Sequence, residues 1–277
     1  MTNITAQELD TCTLLTDSAL VWAQENLEYL NKPMRFFGSS LKVEKGASKR
    51  DSYVMYLQPS NKVSKTTLCE GANSAGCEKP CLISSGQLGM SVAQRAATKR
   101  TILLLLRPHD TQATLLCEID KAERKALKTG IPALFRPNGT SDVDFGALIA
   151  QRPDSEFYDY TKVLSRVRKN TLPNYDLTYS ASMFSVQSRA ALKKAVLRQH
   201  KIAVAFNTKG LVSDNVSAPS GLVSFDDTDL RPLDAPSSIG YLKRKGSNKV
   251  QRAQEGERSF FVTKENLSEF NNIIARG

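Results

Sequence analysis

The residues best suited to chemistry lie in the stretch LCEGANSAGCEKPCL, where Cys69, Cys77 and Cys81 form a C-x7-C-x3-C pattern. Three thiolates this close together, with small residues between the first two, can converge on one metal ion or cluster. A structural zinc asks for a fourth protein ligand. His109 lies beyond the next helical stretch, and Cys117 falls at an apolar helical position. An iron-sulfur cluster with one iron free for substrate or cofactor needs only three thiolates, so the pattern favours iron-sulfur ahead of zinc. The alternative is three unligated thiols that happen to cluster. Cys12 and Cys117 read as plain core thiols. With only His109 and His200, the chain cannot build a His-rich metal site, and it carries neither a P-loop nor a G-x-G-x-x-G turn.

A second set of polar residues follows the strand-like runs. The run ending at Arg136 leads into Asn138, Gly139, Thr140, Ser141 and Asp142, and the next ends in Asp159, Tyr160, Thr161 and Lys162. Two more lead into Tyr179, Ser180 and Ser182 and into Asn207, and a sixth into Asp226, Asp227 and Asp229. Helix caps and turns use Asn, Ser, Thr and Asp routinely. Capping does not require Lys162, Asp159 or the acidic triplet, so one shared pocket is expected. Asp159 and Lys162 are the candidate catalytic pair, and Asn138, Asp142, Tyr160, Ser180 and Asn207 the candidate substrate-binding residues.

Charge is uneven. The 38 Lys+Arg exceed the 28 Asp+Glu, for a formal charge of +10. Residues 161–201 hold nine Lys/Arg and the single acid Asp176, and a second cluster begins at Lys243, Arg244 and Lys245. Arg189, Lys193, Lys194, Arg198, Lys243, Arg244 and Lys245 are therefore the candidate nucleic-acid contacts, against the alternative of a solvated helix face.

The elements that must position these groups alternate in type. Residues 5–31 read as helical. The first convincing strand is Tyr53 to Leu57, and later runs are Ile131 to Arg136, Glu156 to Tyr160, Tyr175 to Tyr179, Ile202 to Phe206 and Gly221 to Phe225. Helix-compatible stretches lie between them at about 89–106, 110–128, 142–151, 162–169 and 185–199. This alternation predicts βα units under a parallel sheet. The expected fold class is α/β, a partial parallel βα barrel of about six strands. An N-terminal helical extension (1–50) precedes the barrel with its cysteine loop (51–230), and a basic C-terminal appendage (231–277) follows. In such sheets ligands gather at the carboxyl ends of the strands. The longest apolar run, Ile102 to Leu106, is too short to cross a bilayer, and MTNITAQELD lacks the basic start and apolar core of a secretory signal. A cytoplasmic setting with no membrane partner is expected, and oligomeric state is left open.

The phrases CEGANSAGCEKPCL, RPNGTSD, EFYDYTK, NYDLTYSAS, KIAVAFNTK and DDTDLRPLD, in that order over about residues 50–250, resemble a group of bacteriophage proteins labelled gene product 88-like. The resemblance implies a phage-encoded protein working in the cytoplasm of an infected bacterium. The arrangement is also distantly similar to the radical S-adenosylmethionine architecture, whose partial barrel holds a cluster on three cysteines after its first strand. That family's spacing is C-x3-C-x2-C, and only Asn138 and Gly139 could stand in for its glycine-rich motif. Together these imply iron-sulfur or zinc as cofactor, with S-adenosylmethionine as a further ligand, and action on a nucleotide or nucleic acid. The competing expectations are a non-enzymatic nucleic-acid-binding protein of phage replication or host takeover with a structural zinc, and an inhibitor of a host factor.

Overall fold

The computed structural model describes residues 2–38, 49–207, 221–244 and 258–276. Its centre is an eight-stranded sheet of β1 (Phe37–Gly38), β2 (Asp51–Met55), β3 (Ala133–Arg136), β4 (Glu156–Thr161), β5 (Tyr175–Ser180), β6 (Ile202–Phe206), β7 (Leu222–Ser224) and β8 (Ile239–Lys243). The spatial order is β1-β2-β3-β4-β5-β6-β8-β7. Only the β1–β2 pair is antiparallel. From β2 to β6 each new strand is added on the same side of the last, joined by helical crossovers, as in repeated βα units. Among the described strands β1 and β7 are edges, so the sheet is not a closed barrel.

Two strands join the six expected. β1 has only two residues, below what periodicity can register. β8, expected within an appendage, inserts between β6 and β7 and pairs with both.

The N-terminal stretch is three short helices, α1 (Ala6–Asp10), α2 (Asp17–Glu25) and α3 (Leu27–Asn31). Thr5 and Glu8 close a capping box on the first. A short α4 (Ala72–Ala75) lies in the cysteine segment, followed by α5 (Ser91–Leu106) and α6 (Pro108–Thr129). Pro108 opens α6 at its first turn, where its missing N–H costs nothing, while Gly130 ends it in the left-handed region at φ 71°. The remaining helices are α7 (Gly146–Ile149), α8 (Leu164–Lys169), α9 (Val186–Leu197) and α10 (Leu267–Ile274). No helix among the described residues is long and apolar enough to cross a membrane.

The two faces of the sheet differ in chemistry because side chains alternate along each strand. One face is apolar. Met55, Phe135 and Phe157 pack with Ile102, Leu115 and Ile119, and Ile202, Val204 and Phe206 with Leu192, Val196 and Phe270. Tyr53, Phe135 and Phe157 form a ladder of rings with centroids 5.4 Å apart at each step. The opposite face carries Arg136, Tyr158, Tyr160, Asp176 and Lys201. The segment after β7 covers part of it, burying Phe225, Leu230 and Arg231. Every charge buried there is paired: Arg136 with Asp229 at 2.7 Å, Lys201 with Asp176 at 2.6 Å, and Arg231 with Asp234 at 3.0 Å.

Candidate functional site

The cysteine segment is the connection leaving the carboxyl end of β2, and the turns after β3, β4 and β5 clamp it. The β3 turn does so with its backbone. Gly139 N–H donates to Met55 O at 2.8 Å, Thr140 Oγ1 to Leu57 O at 2.6 Å, and Asp142 N–H to Leu68 O at 2.8 Å. Gly139 is required here, since a Cβ would stand 2.7 Å from Met55 O and 2.6 Å from the Tyr56 ring. The β4 turn closes over Gly71, where a Cβ would meet Lys162 backbone atoms at 3.2 Å. From the β5 turn, Ser182 Oγ donates to Ala75 O at 2.7 Å, and Ser185 and Ser188 both donate to Ser74 O at 2.8 Å.

Asp142 joins these pieces. Its carboxylate accepts from Thr161 Oγ1 (3.1 Å), Lys162 N–H (2.8 Å) and Arg166 Nη1 (2.8 Å), and its backbone forms a parallel bridge with Cys69. One residue therefore ties the cysteine segment, through its backbone, to the start of α8, through its carboxylate.

Against this frame lies a cavity of about 530 Å³. Cys69, Cys77 and Cys81 line it together with Asn138, Asp142, Tyr160, Lys162 and Ser180. Lys162 Nζ donates to Ser180 Oγ at 2.6 Å and to Ser180 O at 3.0 Å, and stands 4.3 Å from the centroid of the Phe260 ring. Burial pushes the Cys69 thiol up to about 12 and also raises Cys77 and Cys81. Burial lowers Lys162, whose charge Cys77 and Asp142 support in return.

The donor set suits a soft metal or an iron-sulfur cluster, and Ser60 N–H already points at Cys69 Sγ at 3.3 Å, a contact that ligating thiolates accept. As the side chains stand, no three His, Cys, Asp or Glu groups among the described residues lie close enough to hold one ion.

Other sequence-predicted residues fall in different places. Asp159 shares the helix-facing side of β4 with Phe157 and is absent from the cavity lining. Its carboxylate accepts from Asn138 N–H (2.8 Å), Asn138 Nδ2 (2.9 Å) and Tyr175 OH (2.9 Å). Burial pushes it up to about 7 against those donors. It supports the β3 turn from behind the sheet, acting on the cavity through Asn138. Asn207 is also absent from the lining, but its Oδ1 accepts from Arg244 Nη1 at 2.8 Å, and Arg244 and Lys243 do line the cavity. Arg189 is engaged in the fold, donating to Met183 O at 2.8 Å and pairing with Glu269 at 3.1 Å. Lys193, Lys194 and Arg198 are exposed along α9, and Lys245 lies outside the described residues. Cys117, expected in the core, is exposed on α6.

Sequence reasoning expected Asp229 and Tyr160 at the shared pocket but missed Arg136, Tyr158 and the ion pair that builds the cavity floor. Arg136 and Asp229 form their ion pair there, with Tyr158 OH (3.0 Å) and Tyr160 OH (3.2 Å) donating to the same carboxylate. It also missed the wall built by Phe260 and Phe261, which the chain places by pairing Val262 with the end of β6. The aromatic pair in RSFFVT was the available signal.

The fold and site define an α/β protein with a largely parallel sheet and a cysteine-lined cavity at the carboxyl ends of its strands. The gene product 88 family model matches residues 34–264, and the chain belongs to that family. No curated protein and no solved structure matches it. The comparisons thus carry the phage gene product part of the sequence resemblance and leave its radical S-adenosylmethionine part without support.

Proposed function

We propose that this is a phage enzyme in which Cys69, Cys77 and Cys81 hold an iron-sulfur cluster, or a zinc ion in its place, beside a cavity that binds a nucleotide or nucleic acid. On this reading the sheet is an incomplete βα barrel. The observation that carries the reading is the meeting of three sequence-clustered thiols with Lys162, Asn138 and Ser180 around one cavity. A three-thiolate cluster would supply one-electron chemistry there, whereas zinc would supply Lewis acidity or simply staple the loop. The chain's own residues divide the remaining work. Lys162 places an ammonium and Ser180 a hydroxyl within the cavity, Asp142 fixes the thiol loop relative to both, and Asn138 is oriented by Asp159. S-adenosylmethionine would enter this reading only through the Asn138–Gly139 turn.

The test is anaerobic purification followed by iron, sulfide and zinc analysis of the native protein and of Cys77→Ser. Near-stoichiometric metal in the former, with most of it lost in the latter, is the expected outcome. Full metal retention in Cys77→Ser would sink the proposal.

A second reading rests on α9, where Lys193, Lys194 and Arg198 are exposed and make no ion pair among the described residues. There the protein is a non-enzymatic nucleic-acid binder of phage replication or takeover, and metal only staples the loop.

A further inference from the structure

The charge balance of the cavity identifies the chemistry of its ligand. Arg136 is neutralised by Asp229, and Asp142 by Arg166. Three further cationic residues line the cavity, Lys162, Lys243 and Arg244, and no carboxylate among the described residues forms an ion pair with them. Among the described residues Lys162 donates to Ser180 and lies over the Phe260 ring, and Arg244 donates to the neutral amide of Asn207. On the floor, Arg136 leaves its Nε–H without an acceptor. The fully buried charges on this face are paired within the protein, whereas these three cations, half-buried at the cavity, have no carboxylate partner among the described residues.

The lining is also aromatic. Tyr56, Tyr160, Phe260 and Phe261 border the same space, and the Tyr160 ring already takes the Arg136 guanidinium at 4.7 Å. Flat rings of this kind accept a planar heterocycle by stacking. A volume of about 530 Å³ is of the size that holds one small ligand.

We infer that the cavity takes a single free nucleotide, its phosphate held by Lys243 and Arg244 and its base set against the aromatic wall. This deepens the enzymatic reading and rests on it for the identity of the cavity as the substrate site. It separates the cavity from the α9 face, whose exposed lysines belong to a different surface.

Calorimetric titration of the full chain tests the inference. The probes are the ribonucleoside 5′-monophosphates, the matching nucleosides, inorganic phosphate and a short single-stranded oligonucleotide. The expected result is saturable binding of at least one monophosphate, with its nucleoside about tenfold weaker or worse. Lys243→Ala should weaken the monophosphate about tenfold, and so should Arg244→Gln, which keeps an amide donor for Asn207 and therefore the fold. Unchanged melting temperatures would show that both variants remain folded. Nucleoside binding equal to monophosphate, no monophosphate binding, or unchanged affinity in both folded variants would each overturn the inference. So would oligonucleotide binding in the cavity with monophosphates excluded. Metal analysis of the same preparations keeps the two failures apart. Nucleotide bound without metal removes the cluster reading alone, and metal held without nucleotide removes this inference alone.

Discussion

The apolar and polar faces of the sheet handle burial differently. Behind the strands, Phe135, Phe157, Val204 and Phe206 are fully buried against helices, and area alone accounts for their contribution. On the other face Arg231, Lys201 and Asp229 are nearly as buried. There each charge needs a partner, because an isolated ion away from water costs far more than a methylene gains. The difference teaches where to look for a ligand. A polar face that pairs its own charges is structure, and the place where pairing among the described residues stops, at Lys162, Lys243 and Arg244, is where the proposed ligand would bind.

The sharpest way to break this contrast is Asp229→Ala. It leaves Arg136 without its counter-ion and takes the acceptor from both Tyr158 and Tyr160. Breaking one side of such a pair costs roughly 3–5 kcal/mol. Replacing both ions by apolar groups, as in Arg136→Met with Asp229→Leu, should recover part of that loss, which denaturant unfolding will measure. A single variant losing under about 1 kcal/mol would mean the pair is solvated and the polar face no different from surface.

What the sequence made legible follows from the same contrast. Apolar runs on the helix-covered face stand out by periodicity, so Ile202–Phe206 was expected at its observed bounds and Glu156–Thr161 and Tyr175–Ser180 within one residue. The cysteine cluster and the polar strand exits were legible because their residues are neighbours in the chain. The ion pair on the cavity floor was not. Arg136 meets Asp229 across 93 positions, and nothing local marks either as half of a pair. The insertion of β8 between β6 and β7 was hidden for a similar reason, since strand order depends on long-range pairing. Asp159 and Lys162 looked alike at a strand end, yet alternation sends Asp159 to the helices and Lys162 to the cavity.

That split gives a prediction of intermediate size. Burial raises the Asp159 carboxyl to about 7 from an ordinary 3.8. The folded state then holds a proton that the unfolded chain releases, so its contribution to stability is full below about pH 4 and is lost as pH rises through 7. The drop across that window is bounded by ~4 kcal/mol. Asp159→Asn, which cannot ionise, should flatten the dependence in melting curves taken from pH 4 to 8. An equally steep fall in the variant would assign the proton to another group. Because Asp159 also holds Asn138, the variant should weaken binding of the proposed ligand through the β3 turn while leaving the metal content measured for the native protein unchanged.

The smallest effect on stability, and the cleanest separation of cavity from surface, comes from α9. Lys193, Lys194 and Arg198 are exposed, and no carboxylate among the described residues pairs with them. Reversing all three to Glu should change unfolding free energy by no more than about 0.5 kcal/mol per site, as for surface positions elsewhere. The functional readout has more leverage. If a phosphate backbone follows this helix, each lost cation removes one released counterion, and the slope of log affinity against log salt falls by nearly one per contact. DNA and RNA affinity should therefore drop steeply at low salt in the triple variant, with its salt dependence flattened. Mononucleotide binding in the cavity should stay as it was. Unchanged DNA and RNA binding would show that this helix face is only solvated and would leave the cavity as the place where this chain meets phosphate.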